Sequence, residues 1–162
     1  MSVSVIALGS NMGDSVQILK DAINDLKEHC TVLKCSSFYR TKPVGYLQQD
    51  DFINAVVCAQ TELGPYELLD FLHRTEARHN RVRVFRNGPR TLDLDIISYG
   101  DLVQDDARLT LPHTHMQERA FVLVPLHEIE PDMVIPGLNR SVRELYGQLE
   151  RDSLDEVVRI NA

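Results

Sequence analysis

With 162 residues, of which 43% are hydrophobic and 25% charged, the chain has the composition of one globular domain with a substantial core. Its 24 acidic and 17 basic residues give a formal net charge of −7, which argues against a general nucleic-acid-binding protein. The sequence contains no apolar run near the ~20 residues of a membrane span. Its three cysteines form no Cys-x-x-Cys pair and suit a reducing compartment. We therefore expect one domain over residues 1–162, in the cytoplasm, with neither a membrane nor a nucleic-acid partner.

The first part of the chain predicts three strands and one helix. A β-branched and aliphatic run at Ser2–Leu8 predicts a buried strand, and apolar residues at helical spacing predict an amphipathic helix over about residues 14–28. Two β-rich stretches predict a long second strand over Thr31–Thr41 and a third strand over Phe52–Thr61. A polar loop separates the second strand from the third.

A second helix is predicted between Pro65, which suits a first helical position, and Asn80, a plausible stop. Glu76 continues the apolar stripe of Leu69 and Leu72, because the three residues are spaced as i, i+3 and i+7. Glu76 either lies at the solvent end of that stripe or has a function. The arginine-rich segment that follows slightly favours a function.

A strand that begins at Asp93 is followed by two short extended pieces, around Leu102-Val103 and over Leu109–Leu111. The polar residues Gln104–Arg108 join these pieces. This pattern predicts a β-hairpin.

The last part of the chain predicts helices and an extended tail. One helix begins near residue 119 or 120 and ends before Pro131, and Pro125 must lie in its first turn or kink it. A short helix over Ser141–Leu149 and an extended tail over Glu156–Ile160 follow.

The predicted order of strand, helix, two strands, helix and strand is that of the ferredoxin-like βαββαβ fold. We therefore predict an α+β protein with a four-stranded antiparallel sheet and two helices on one face. A C-terminal hairpin and additional helices follow. The opposite face of the sheet needs a cover or becomes a binding surface, and the C-terminal helices are expected to cover part of it.

Paired carboxylates are the most informative feature of the chain. Asp93 and Asp95 point to the same side of a predicted strand, roughly 6.6 Å apart along it, so their like charges repel unless a cation lies between them. Magnesium with phosphate oxygens suits such a pair. The segment before the strand contains four arginines, whose guanidinium groups suit phosphate oxygens: Arg81, Arg83, Arg86 and Arg90. The pattern predicts a site for a polyphosphate with magnesium.

Three classes of function fit these residues. The first is a magnesium-dependent phosphoryl or pyrophosphoryl transferase, the second a ferredoxin-like small-molecule sensor, and the third an Asp-x-Asp nuclease or nucleotidyltransferase. A sensor does not need adjacent acids and arginines, and a nuclease needs a basic or aromatic track that the sequence does not obviously contain. A zinc site at His113 and His115 is disfavoured because no further ligands follow at a zinc spacing.

Six sequence runs carry a resemblance to a known family, in the family's order and spacing: Leu8–Asn11, Ser37–Thr41, Phe52–Ala55, Gly88–Ile97, Leu111–His113 and Arg119–Phe121. Together they resemble 6-hydroxymethyl-7,8-dihydropterin pyrophosphokinase, an enzyme of folate biosynthesis. The run Arg90–Ile96 is highly specific, and the resemblance covers about residues 2–137.

The resemblance implies an enzyme in which the pterin hydroxymethyl oxygen attacks the β-phosphorus of MgATP, giving the pterin diphosphate and AMP. We expect the enzyme to be monofunctional, because 162 residues are too few for another such catalytic domain, and to be a monomer. It implies that Asp93 and Asp95 hold two magnesium ions and that Arg81 and Arg90 are catalytic. The remaining residues that it assigns to ATP are His73, Glu76, Arg83, Ile96, His113, Thr114 and Arg119. Those that it assigns to the pterin are Thr41, Lys42, Pro43, Val44, Phe52, Asn54 and Phe121. We also expect the segment Arg81–Pro89 to act as a lid that closes over bound ATP and pterin.

Overall fold

The structure, a computed structural model, describes residues 1–42, 48–79 and 91–161. The strands are β1 (Ser2–Ser10), β2 (Cys30–Cys35), β3 (Phe38–Thr41), β4 (Phe52–Thr61), β5 (Asp93–Tyr99), β6 (Gln104–Asp105), β7 (Thr110–Leu111), β8 (Val134–Ile135), β9 (Arg140–Ser141) and β10 (Val157–Ile160). The helices are α1 (Ser15–Leu26), α2 (Pro65–Arg78), α3 (Ala120–Ile129), α4 (Val142–Gly147) and α5 (Arg151–Asp155). Within the described residues, the structure contains no helix long and apolar enough to span a lipid bilayer.

One antiparallel sheet organises the molecule. Its strand order is β10-β3-β4-β1-β5, and β2 also pairs with β4. β1 lies between β4 and β5, so its residues have a direct neighbour on each side. The predicted ferredoxin-like, α+β arrangement with an antiparallel sheet is confirmed, but the sheet has six strands and not the predicted four, because the second predicted strand is divided into β2 and β3 and the C-terminal β10 joins the sheet.

The two helices α1 and α2 cover one face of the sheet. Leu19, Ala22 and Leu26 form the buried stripe of α1, and they pack with α2 and with alternate strand residues such as Leu8 and Leu94. The Asp14 carboxylate accepts a hydrogen bond from the Gln17 amide and so caps the N-terminus of α1. Burial of this aliphatic cluster fixes which face of β1 and β5 is turned away from α1 and α2.

The opposite face is covered only in part. Val5, Val56 and Ile97 form a second core with residues of α3 and α4, including Val122 and Val142. This packing confirms that C-terminal helices cover part of that face. The uncovered part of the same face contains the candidate site.

The second predicted strand is interrupted in the structure. The predicted strand Thr31–Thr41 is divided into β2 and β3 at Ser36, whose hydroxyl donates to the Ser37 carbonyl and accepts from the Val56 amide. These side-chain bonds replace regular hydrogen bonds of the ladder at this point. The pairing with β4 also shifts by one residue, from Cys35 opposite Val57 to Tyr39 opposite Asn54, so the chain contains one extra residue here.

The hairpin consists of β6 and β7, so the prediction that its first strand includes Leu102-Val103 is wrong. Val103 is 60% exposed and packs near Gly137, whereas the Gln104 amide donates to the Leu109 carbonyl. Side-chain anchoring of the polar Gln104, rather than burial of apolar residues, therefore sets the hairpin.

The C-terminal elements also differ in part from the prediction. α3 begins at Ala120, so Pro125 lies in its second turn and not in the first. The predicted helix Ser141–Leu149 is the shorter α4, and α5 follows it as an additional helix. The extended tail is confirmed as β10, which pairs with β3.

Candidate active site

A pocket lies on the part of the sheet that α3 leaves uncovered. Its walls come from β1, β3, β4, β5, α3 and the segment before α3. The lining residues are Ala7, Leu8, Gly9, Thr41, Lys42, Phe52, Asn54, Asp93, Asp95, Ile97, His113, Arg119, Phe121 and Val122. The pocket thus joins the predicted pterin-binding residues to the predicted metal-binding residues.

Strand register explains this juxtaposition. Gly9 on β1 pairs with Asn54 on β4 at one side and with Asp93 on β5 at the other. Two residues earlier, Ala7 pairs with Asp95. Side chains two residues apart along a strand share a face, so Asn54, Asp93 and Asp95 all project from one face across a floor formed by the small residues of β1.

Asn54 is buried, and its side chain has a defined partner. Its Nδ2 donates a 2.6 Å hydrogen bond to Thr41 Oγ1 on the adjacent strand β3. Phe52 and Phe121 line the same pocket, and the Arg119 guanidinium lies 5.6 Å from the centre of the Phe121 ring. The arrangement provides amide polarity and two aromatic rings, which suit a flat heterocycle with donor and acceptor groups.

Asp93 and Asp95 are half-buried residues of β5 that both line the pocket. The structure contains no cluster of three or more metal-ligating side chains among residues 1–42, 48–79 and 91–161. Two carboxylates fit magnesium, which prefers oxygen ligands and commonly uses one or two carboxylates together with water and substrate phosphate. They fit zinc poorly, because zinc requires about four nitrogen or sulfur ligands from the protein in a structural site.

Glu76 lies on α2 and is only 5% exposed, so the interpretation that it marks the solvent end of the helical stripe is wrong. Its Oε2 accepts a 2.8 Å hydrogen bond from the Leu94 amide. Leu94 stands between Asp93 and Asp95. Glu76 therefore fixes the backbone between the two pocket carboxylates from the outer edge of β5.

His113 lines the pocket, and its Nδ1 is buried without a hydrogen-bond partner among the residues that the structure describes. Its amide donates to the Ile97 carbonyl, which places it at the outer edge of β5. Burial lowers the pKa of His113, and the nearby positive charge of Arg119 lowers it further, while Asp93 opposes the shift. The imidazole is therefore neutral near neutral pH, and its orphaned nitrogen is available to a ligand or a water molecule.

The lining of this pocket, within the described residues, omits four of the predicted ATP-binding residues: His73, Glu76, Ile96 and Thr114. His73 and Thr114 are exposed, and the Ile96 side chain packs in the core beneath α1 and α2. Leu94 and Ile96 are two residues apart, so their amides point to the same outer edge of β5, and Ile96 can contact a ligand only through its backbone. Arg81, Arg83, Arg90, Pro43 and Val44 lie outside the described residues, as do the rest of the predicted lid and the predicted helix stop at Asn80.

Five lining residues were not assigned from the sequence: Ala7, Leu8, Gly9, Ile97 and Val122. Ile97 shares the face of Asp93 and Asp95, a position that the alternation of the strand had indicated. Gly9 and Ala7 have no polar side chain from which a role in a site could be predicted. Only the register of β1 between β4 and β5 identifies them as the floor of the site.

Comparison with known proteins agrees with this geometry. The family model described as 7,8-dihydro-6-hydroxymethylpterin-pyrophosphokinase matches residues 5–131. A 2-amino-4-hydroxy-6-hydroxymethyldihydropteridine pyrophosphokinase of Haemophilus influenzae is 44% identical over 150 residues, covering 91% of this chain and 93% of that protein. The enzyme of the same name from Bacillus subtilis is 45% identical over 130 residues, covering 79% of this chain and 78% of that protein.

A solved structure with the same fold is the Plasmodium falciparum HPPK-DHPS triple mutant with pteroate. It superposes with a TM-score of 0.78 at 15% identity, covering 99% of this chain and 47% of the longer protein. This likeness concerns the fold, whereas the family model and the sequence relatives identify the kind of protein. The chain belongs to the 7,8-dihydro-6-hydroxymethylpterin-pyrophosphokinase family.

Proposed function

We propose that the pocket binds ATP and 6-hydroxymethyl-7,8-dihydropterin together and transfers the pyrophosphoryl group to the pterin, a reaction of folate biosynthesis. The observation that carries this proposal is the pairing of Gly9 with Asn54 on one side and with Asp93 on the other. Only a residue without a side chain therefore separates the amide proposed to bind the pterin from a carboxylate proposed to bind the magnesium of ATP. Neighbouring strands are ~4.8 Å apart, so a pterin at Asn54 has its hydroxymethyl group within reach of a triphosphate at Asp93.

The pterin half of the site is formed by β3, β4 and α3. Asn54 supplies a donor and an acceptor to the polar edge of the ring, and Phe52 and Phe121 hold its faces. Thr41 and Lys42 complete this wall in the described residues, and the sequence resemblance assigns Pro43 and Val44 to the same ligand. This half orients the hydroxymethyl oxygen for attack and restricts its motion.

Asp93 and Asp95 would hold two magnesium ions with the triphosphate. Bound magnesium neutralises phosphate charge and polarises the phosphorus that is attacked. The carboxylates themselves fix where the triphosphate lies on the sheet, because both project from β5 on the pocket face. Glu76 supports them by accepting from the backbone amide that separates them.

The remaining ATP contacts come from positively charged and neutral donors. Arg119 and His113 line the described pocket, and Arg81, Arg83 and Arg90 are assigned by their sequence pattern. His73, Thr114 and the backbone of Ile96 would contact ATP outside this pocket. The hydroxymethyl oxygen forms a bond to the β-phosphorus while the bond from that phosphorus to the AMP oxygen breaks. Positioning and charge neutralisation matter more for this step than a strong base.

Two substitutions in different strands test this division of roles. Asn54→Ala should raise the KM for the pterin roughly ten- to hundredfold, the scale of a lost buried hydrogen-bonding group, with little change in the KM for ATP. Asp95→Ala should lower kcat roughly 10²–10³-fold or more, the scale of a lost electrostatic group in a transition state. Steady-state kinetics for both substrates measures the two effects, and thermal melting without metal checks that each variant folds. If Asn54→Ala altered the KM for ATP and not that for the pterin, the assignment would be wrong.

A further inference from the structure

Gly9 has a steric environment that a side chain would disturb. A Cβ atom at this position would lie 2.8 Å from Asn54 Oδ1, closer than real Cβ contacts allow. Gly9 has no positive φ, in contrast to Gly13, Gly100 and Gly137, and it lies within the regular strand β1. Backbone conformation therefore does not require glycine here, and the approach of the Asn54 oxygen is the constraint.

Strand pairing explains why the approach is so close. The Leu94 amide bonds to Glu76 and not to β1, so the pair Leu8–Leu94 is of the type without hydrogen bonds. Bonding alternates along a ladder, so the next pair, Gly9–Asp93, is hydrogen-bonded. Gly9 thus turns its amide and carbonyl towards β5.

On its other side Gly9 consequently forms with Asn54 a pair without hydrogen bonds. Side chains are closest in such pairs, with Cα atoms roughly 4.5 Å apart. The Asn54 side chain can lie against the β1 backbone only because residue 9 has no Cβ.

The two ends of the Asn54 amide have different surroundings. Nδ2 donates to Thr41 Oγ1 at 2.6 Å, whereas Oδ1 faces the Cα of Gly9. A hydroxyl can accept or donate, so Thr41 alone does not select one orientation of the amide. The hydrogens on the Gly9 Cα do select one, because they tolerate an oxygen and repel an NH₂ group.

We propose that Gly9 is a positioning residue that, with Thr41, fixes the orientation of the Asn54 amide and so sets which polar edge of the pterin the site accepts. The amide then presents an acceptor on the β1 side of the pocket and a donor on the β3 side. A bound pterin must match this order with a ring N–H or amino group near β1 and an acceptor atom near β3. The inference rests on the pterin-reading role proposed above for Asn54.

Alanine at residue 9 could also weaken binding by simply filling the pocket. A double-mutant cycle separates the two mechanisms, because residues that act through a shared partner are not additive. If Gly9 acts through Asn54, its substitution has little left to disturb once the Asn54 amide has been removed. If a methyl group merely occupies space, its effect persists.

The experiment measures equilibrium binding of the hydroxymethylpterin in the presence of magnesium and a saturating, unreactive ATP analogue. Gly9→Ala should weaken pterin binding roughly ten- to hundredfold in the otherwise unchanged protein, yet less than about twofold further in an Asn54→Ala background. Thr41→Val, which removes the acceptor at nearly constant shape, should weaken binding as Gly9→Ala does, and Thr41→Ser should restore it. Gly147→Ala is the matched control, since a Cβ there would meet nothing within 4 Å.

Each outcome bears on the proposal. An equal loss from Gly9→Ala in both backgrounds, or equal binding by Thr41→Val and Thr41→Ser, would overturn it. Weak binding by Asn54→Ala together with normal binding by Gly9→Ala would overturn this inference alone. Normal binding by Asn54→Ala would overturn the proposed role of Asn54 as well. If Gly9→Ala fails to fold in thermal melting, its folding in the Asn54→Ala background would support the proposal, and its failure to fold there as well would overturn it.

Discussion

Glu76 is a buried carboxylate that holds the backbone beside the pocket without lining the pocket itself. It lies on α2 and bonds to the amide between Asp93 and Asp95, so the positions of both acids depend on a residue that does not line the pocket. A buried amide that loses its acceptor bears the full cost of its desolvation. The contribution of Glu76 can therefore be measured as stability as well as activity.

We expect Glu76→Ala to lower the free energy of unfolding by about 1–3 kcal/mol, because it leaves the Leu94 amide buried and without this acceptor. Glu76→Gln keeps an oxygen that can accept from the same amide and should retain most of the stability. Denaturant unfolding of the metal-free protein measures both variants, and kcat should follow the same order. Equal losses in the two variants would exclude the hydrogen bond as the cause.

His113 gives a prediction for pH. Burial, assisted by the charge of Arg119, holds the pKa of His113 below the ordinary value of 6.5. Between that lowered pKa and 6.5, the imidazole is protonated in the unfolded chain and neutral in the folded protein. Stability should therefore fall as the pH decreases from about 6.5 towards the lowered folded-state pKa, and it should be unaffected by this group above 6.5. Substitution of His113 by asparagine should remove this part of the decline.

The measurement is the free energy of unfolding of both proteins from pH 8 to pH 5 without metal. His127 also has a lowered pKa and titrates in the same direction, so the difference between wild type and His113→Asn carries the result. His73→Asn, at an exposed position on α2, is the control. If the difference in unfolding free energy between wild type and His113→Asn were the same at every pH, the lowered pKa of His113 would be contradicted.

Among the secondary-structure elements, β10 supports a strand of the candidate site, although its sequence signal is weak. It is the neighbour of β3, with Val157 opposite Thr41 and Ile160 opposite Phe38. β3 in turn supplies the Thr41 hydroxyl that accepts from Asn54. The carboxylates of β5 are three strands away from β3 in the sheet, so the two halves of the site depend on different neighbours.

Removal of residues 157–162 should accordingly weaken pterin binding more than binding of an unreactive ATP analogue, because β3 loses its outer partner while β1 and β5 keep theirs. Isothermal titration with each ligand provides the comparison. Val158→Thr, at a side chain that is 47% exposed, keeps the strand and should leave both affinities unchanged. An equal loss of both affinities would show that the sheet does not divide the site in this way.

The sequence identifies elements whose signal is local. Strict alternation predicted β5 and the shared face of Asp93 and Asp95, and helical spacing predicted α1 and α2. The division of β2 from β3 depends on side-chain hydrogen bonds of Ser36 to a distant strand, which no local pattern encodes. The role of Gly9 likewise depends on which residues lie opposite it, and the burial of Glu76 depends on packing between α2 and β5.

The whole molecule uses one face of its sheet for two purposes. The face that carries Val5, Val56 and Ile97 is covered by α3 and α4 and forms a core. Further along the same strands that face is uncovered, and Asn54, Asp93 and Asp95 project from it. A chain of net charge −7 that binds ATP must obtain its attraction for phosphate locally. In the proposed function, the arginines before β5 and magnesium held by the two carboxylates would supply that attraction.

The central claim is transfer of a pyrophosphoryl group and not of a single phosphoryl group. The most direct test is to incubate the protein with ATP, magnesium and 6-hydroxymethyl-7,8-dihydropterin and to separate the nucleotides and pterins by chromatography as the reaction proceeds. We expect AMP and the pterin diphosphate in equal amounts, without ADP, and product formation that is at least roughly 10²-fold slower with the Asp95→Ala variant. Accumulation of ADP in proportion to a pterin monophosphate would contradict the account.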